Sequence, residues 1–273
     1  MHVLKQLVSL AEHGETVVLA TVVRSQGSVP RHTGTRMLFF RDGTFEGTIG
    51  GGEMEGRVQA EAMAAFEDGK PRLITYEFRN PEQGGVGVCG GEMDVFIEPI
   101  PPEPTIVVIG GGHVGKAVVH LASWLGYRVV VTDDRAEFVT EEAAPGADSY
   151  LHCTMKELPE KMTIHSNCYL LLTTRGTDVD SEGLPALLET PAAFIGVIGS
   201  RRRWETTAKA LREQGVSAEA LKRISSPLGL ELNAESPEEI AVSILAEIIM
   251  LRQGGNGERM AHTLVARRGS KGV

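Results

Sequence analysis

Ile106-Val107-Val108-Ile109-Gly110-Gly111-Gly112-His113-Val114-Gly115 is the stretch that decides the fold. Four consecutive apolar, β-branched residues describe a strand covered on both faces, the habit of a parallel sheet. The glycines that follow stand in G-x-G-x-x-G spacing, and Gly115 to Leu125 reads as a helix. Strand, glycine turn and helix in that order form the setting in which this spacing carries meaning. There Gly110 permits the tight turn, Gly112 removes a Cβ that would block a pyrophosphate, and Gly115 lets the helix lie close on the sheet. His113 sits inside the cradle as a shape or hydrogen-bonding residue. The helix N-terminus offers unpaired N–H groups and a partial positive charge to an anion.

Downstream, Arg128–Val131 reads as a second strand, closed by Asp133, where an NAD-type site keeps the carboxylate that binds a ribose. Further strands are expected at 168–172 and 194–198, and helices at 202–214 and 237–252. Strands alternating with helices argue for right-handed βαβ units in an open sheet. Ser236, Pro237 and Glu239 mark the start of the last helix as a capping box with proline in the first turn. Ligands of such sheets bind at the carboxyl ends of the strands. Three polar loops belong there: 173–178 with Arg175, 199–203 with Ser200 and Arg201, and 225–229. Arginine suits bidentate phosphate recognition. Three arginines at a helix start oppose its dipole, so a negative group is expected beside them, and Gly199-Ser200-Arg201 reads as a second anion site.

Upstream, Pro99, Pro101, Pro102 and Pro104 mark a stiff connector. The first hundred residues show a helix at 1–13, a strand at 16–23, a hairpin about Asp42-Gly43, a helix at 53–66 and strands at 73–76 and 93–97. The expected fold is α/β: a smaller α+β domain at 1–100, a Rossmann-like parallel-sheet domain at 101–253, and a mobile tail at 254–273. The first domain carries three turn-rich segments: 27–31 with Arg31, Gly50-Gly51-Gly52 followed by Glu53 and Glu55, and Cys89-Gly90-Gly91. Three glycines opening a helix make another backbone cradle for an anion or a flat ligand. Glu53 and Glu55 are either acids and bases or plain helix N-terminal carboxylates. Cys89, between glycines, is either accessible or a small buried thiol.

A formal net charge of −9 over 273 residues argues against a nucleic-acid binder that works by neutralising phosphates. Three cysteines with no metal-ligand spacing fit a reducing compartment. No segment is long and apolar enough for a membrane span, and no leader pattern opens the chain, so cytoplasm is the expected location.

Together these motifs resemble the XdhC/CoxI family, the xanthine dehydrogenase accessory proteins, over roughly residues 8–252. The segments that carry the likeness are 27–31, 48–52, 89–91, the Gly110 turn, 199–202, and 226–230 leading to Ser236-Pro237-Glu238-Glu239. The resemblance implies a protein that binds molybdenum cofactor (molybdopterin), holds it during sulfuration and delivers it to an apo molybdenum hydroxylase, without catalysis of its own. It also implies a cysteine desulfurase as partner and a homodimer, with the two domains flanking a polar cleft. Some relatives carry a cysteine after the paired glycines of the first domain, where this chain has Glu53, which leaves Cys89 as the N-terminal thiol. The competing reading is an NAD(P)-dependent oxidoreductase, suggested by the glycine turn and Asp133. It would need a placed proton donor, and no Tyr-x-x-x-Lys pair is present.

Overall fold

The computed structural model describes residues 2–12, 14–78 and 90–261. Contacts divide the chain into two compact units, Met1–Glu103 and Pro104–Val273.

The first unit runs α1 (His2–Glu12), β1 (Val17–Gln26), β2 (Arg36–Phe39), β3 (Phe45–Gly47), α2 (Gly52–Asp68), β4 (Arg72–Glu77) and β5 (Glu92–Ile100). Its antiparallel sheet has the order β3-β2-β1-β5-β4. The first half of β1 is apolar because both of its faces are covered. Val18, Ala20 and Val22 pack under α2 with Met54, Val58 and Ala62, while Val17 and Leu19 meet Leu4 and Leu7 of α1. The β2–β3 turn is held by Asp42, whose carboxylate accepts from the Thr44 amide (2.9 Å) and hydroxyl (2.6 Å). That is the side-chain mimicry of a turn that favours aspartate there. The strand expected at 93–97 continues to Ile100 through Pro99. β4 pairs with β5 only up to Ile97, so beyond it one edge of β5 is unpaired and a residue lacking an N–H is tolerated.

The second unit contains β6 (Thr105–Ile109), α3 (His113–Trp124), β7 (Arg128–Asp133), β8 (Ser149–His152), α4 (Leu158–Lys161), β9 (Cys168–Leu172), α5 (Thr177–Leu188), β10 (Phe194–Val197), α6 (Arg201–Glu213), α7 (Ala218–Leu221), β11 (Ile224–Ser225) and α8 (Pro237–Gln253). All six strands are parallel, in the order β11-β10-β9-β6-β7-β8. This is the doubly wound dinucleotide-binding order, and the direction of winding reverses between β6 and β9. The continuous apolar strands follow from two covers. Ile106 and Val108 pack with Val118 of α3 and Ile244 and Leu245 of α8. Val107 and Ile109 pack on the other side with Leu184 of α5 and Leu211 of α6. The capping box of α8 is formed, with Ser236 and Glu239 bonded reciprocally. Residues 262–273 of the expected tail lie outside the described residues.

Candidate functional site

The glycine turn lies where winding reverses, and most of its glycines answer to the chain's own packing. Gly110 has φ 112°, and a Cβ there would stand 2.7 Å from the Thr173 carbonyl oxygen. A Cβ on Gly115 would overlap the Gly110 carbonyl oxygen, which already accepts a 2.6 Å bond from the Thr173 hydroxyl. Gly112 differs. Its φ of −66° suits any residue, and nothing lies within 4 Å of a Cβ built on it. It is the N-cap of α3, which has no side-chain cap, and exposed His113 begins that helix. The chain itself therefore gives no reason for glycine at 112. Open space in front of uncapped N–H groups is what a bound anion requires.

A second helix start repeats the pattern. Gly176 caps α5 with no side-chain bond and with nothing within 4 Å of a Cβ. β6 leads into α3 and β9 into α5, so the two uncapped starts follow the two strands at the reversal.

Asp133 corrects an expectation. It closes β7 as expected, but its carboxylate is spent on the turn. One oxygen accepts from the Arg135 amide (3.0 Å) and Nε (2.9 Å), the other from the Gly111 amide (3.0 Å) and an Arg135 terminal nitrogen (3.0 Å). A carboxylate has about four lone-pair sites, and all four are taken. Asp133 holds the glycine turn, and no capacity is left for a ribose diol, so the residues present do not supply the clamp that NAD implies.

The ends of β6, β7, β8 and β9 enclose a cavity of about 130 Å³ next to the turn, whose lining includes Ile109, Arg135, Thr154, Lys156, Arg175 and Glu182. The Arg135 guanidinium lies 3.9 Å from the centre of the Phe138 ring. Arg175 lines the cavity and forms a bidentate pair with Asp134 at 2.6 and 2.7 Å. Bonding from Arg175, helped by Asp133 and by the charges of Arg175 and Arg135 against some burial, holds the Asp134 carboxyl down at about 2.

The negative group expected beside the arginines at 201–203 is internal. Asp180 of α5, fully buried, accepts from Arg203 at 2.7 Å and from the Thr174 hydroxyl, and Arg203 also donates to the Thr174 hydroxyl at 2.8 Å. The Ser200 hydroxyl caps α6 by accepting from the Arg203 amide (3.2 Å). Arg201 is exposed and has no partner among the described residues. The 225–229 loop is likewise tied inward, with Glu247 accepting from the Ser225 hydroxyl (3.2 Å) and the Gly229 amide (2.7 Å).

Within the first unit the three glycine segments meet. A Cβ on Gly50 would stand 2.6 Å from Pro30, and one on Gly27 would stand 3.1 Å from Gly91 Cα. Of its two expected readings, Glu55 takes the plainer one, a carboxylate bonded at the start of its helix. One of its oxygens accepts from the Thr48 hydroxyl (2.5 Å) and the Ile49 (3.1 Å) and Gly51 (2.8 Å) amides, so it fastens the loop. Burial raises its carboxyl, and the bonds from Thr48, Gly51, Ile49 and Gly50 outweigh this and hold it below the ordinary value. Gly51 and Gly52 leave open space at α2, whose start has no side-chain cap, and Arg31 is exposed. Cys89 lies outside the described residues. Cys153 and Cys168 are buried, and burial pushes the Cys168 thiol up to about 11. Among the described residues no group of three or more His, Cys, Asp or Glu converges to hold a metal ion, and no helix is long and apolar enough to cross a membrane.

Sequence reasoning placed the loops of Gly176 and Arg203 here without giving either residue a role, and it missed Asp134, Arg135 and Asp180, the partner of Arg203. For Arg203 a signal existed. Thr207 and Leu211 lie four and eight residues on, on the buried face of α6, which aims Arg203 inward and Arg201 outward.

Comparison with known proteins places this geometry in a lineage. The family model of the XdhC Rossmann domain matches residues 106–248, and that of the XdhC and CoxI family matches residues 10–77. The chain is 35% identical to the uncharacterized protein YqeB of Escherichia coli over 99% of its own length, and spans 51% of that protein. It is 24% identical to a probable subunit of xanthine dehydrogenase in Bacillus subtilis, covering 90% of this chain and 96% of that one. It is also 24% identical to the molybdenum cofactor insertion chaperone PaoD of Escherichia coli, covering 92% and 88%. A solved structure described as a xanthine dehydrogenase from Bacillus halodurans shares the fold with a TM-score of 0.50 at 24% identity, over 93% of this chain and 96% of that one.

Proposed function

The chain belongs to the XdhC/CoxI family, and from that premise we propose that it binds molybdenum cofactor, holds it during sulfuration and delivers it to an apo molybdenum hydroxylase of the xanthine dehydrogenase type. The observation that carries this reading is the unfilled space at Gly112, echoed at Gly176. A phosphate there would accept from the free N–H groups at the start of α3 and sit in the positive end of its dipole. Arg135, Lys156 and Arg175 would line the adjoining surface for the rest of the ligand. When bound, the cofactor supplies the redox-active centre that the client enzyme uses. The chain's own part is to bind, orient and shield. The same reading has it in the cytoplasm as a homodimer, working with a cysteine desulfurase.

The oxidoreductase reading loses one of its two supports, because Asp133 has no acceptor left for the ribose of NAD(P). The test is transfer. Apo-hydroxylase from cells lacking this protein should gain activity when mixed with chain isolated from cofactor-producing cells, and not with chain from cells unable to make the cofactor. Chain that carries no pterin yet binds NAD(H) at micromolar levels would overturn the proposal.

A further inference from the structure

The cavity beside the glycine turn carries chemistry that a phosphate does not use. We propose that it is a slot for one flat ring system and that it selects a 2-amino-4-oxo bicycle, the pterin or guanine type, over adenine. This rests on the reading of Gly112 as the phosphate position. Size comes first. About 130 Å³ is less than half the ~300 Å³ at which pockets for drug-sized ligands begin, so the slot suits one ring system, with the rest of a nucleotide lying outside it.

The walls suit a ring. Ile109, Met155 and Val179 supply apolar surface. Arg135 supplies a plate: its guanidinium is clamped by Asp133 in the plane and backed by Phe138, and it remains 35% exposed. A guanidinium held this way stacks on aromatic faces.

The rim then chooses the ring. Three carboxylates line the cavity. Asp133 is saturated and Asp134 is clasped by Arg175, so Glu182 is the one with no partner among the described residues. Of the three cations, Arg135 and Arg175 are paired with those two acids, and Lys156 has no partner among the described residues. The slot thus keeps one free acceptor pair and one free donor. A 2-amino-4-oxo ring presents two adjacent N–H donors beside a carbonyl acceptor, which matches a carboxylate and an ammonium. Adenine presents one amino group beside a ring acceptor, and an ionised carboxylate cannot donate to that acceptor.

Calorimetric titration of the full chain with GMP, AMP and neopterin monophosphate tests this. GMP and the pterin should bind about tenfold or more tighter than AMP, the worth of one charge-assisted contact. Glu182→Gln, at an exposed position, should remove most of that preference, because GMP and the pterin lose the carboxylate while the new amide can both donate to and accept from adenine. Gly112→Val should weaken all three together. Equal affinity for GMP and AMP, an unchanged ratio in Glu182→Gln, or no binding of GMP or the pterin at millimolar concentration overturns the slot. In the first two cases, weakening by Gly112→Val still leaves the phosphate reading standing. A Gly112→Val chain that binds all three as the parent does refutes the phosphate reading itself.

Discussion

Replacing Gly112 by valine separates what the fold needs from what a ligand needs. The backbone at 112, φ −66° and ψ −168°, is open to an L-residue, and no atom lies within 4 Å of the new Cβ. The structural cost is then the poorer N-cap preference of valine, about 0.5–1 kcal/mol. For a unit of this size that lowers Tm by roughly 1–4 °C. Gly115→Ala is the contrast, because its methyl overlaps the Gly110 carbonyl, and overpacking of that kind costs about 3 kcal/mol. The ligand sees the opposite order. A valine at 112 fills the space where an anion would accept from the first N–H groups of α3. Losing one charge-assisted bond of about 1.5–3 kcal/mol weakens binding roughly 10- to 150-fold. Thermal melting and titration with a pterin monophosphate read both quantities. A Gly112→Val chain that binds within twofold of the parent, or one that unfolds as easily as Gly115→Ala, would refute the reasoning.

Other consequences follow from groups away from the turn. Asp180→Ala strands the Arg203 guanidinium, which should lower stability by about 3 kcal/mol; a change below about 1 kcal/mol in urea titrations would show that the pair is not a structural tie. Tyr76→Phe should raise stability by about 1 kcal/mol, since the buried Tyr76 hydroxyl has no partner among the described residues. Burial, with Glu61 adding to it, pushes that hydroxyl from 10 up to about 12. The folded chain therefore keeps the proton while the unfolded one ionises, stability falls as pH rises from 10 through 12, and Tyr76→Phe should flatten that fall. Cys153 and Cys168 should resist thiol reagents at about pH 8 until denaturant is added, so rapid labelling that persists in a Cys89→Ser chain would contradict their burial.

The parallel sheet was legible because β6, β7 and β9 are apolar on both faces, a pattern that few other elements produce. α5 was not. Gly183 and Pro185 break its helical signature, and the reason for Gly183 is tertiary: a Cβ there would stand 2.5 Å from Met155, beyond β8. β8 and β11 are short edge strands whose pairing depends on neighbours already in place. In the site, Gly112 could be read from spacing alone. The fate of Asp133 could not, because it turns on Arg135 folding back two residues later and on the Gly111 amide arriving from another loop. Nothing in the sequence singles out Asp180, and only the packing of α5 on α6 reveals it as the counter-charge to Arg203.

The central claim is that the Gly112 turn holds the phosphorylated end of molybdenum cofactor. Its most direct measurement is the molybdenum and pterin content of the chain purified from cells that make the cofactor, parent beside Gly112→Val. The account predicts pterin and molybdenum together on the parent chain and a loss of about tenfold or more on the variant, with both chains folded. Equal content on the two chains, or none on the parent, would contradict it.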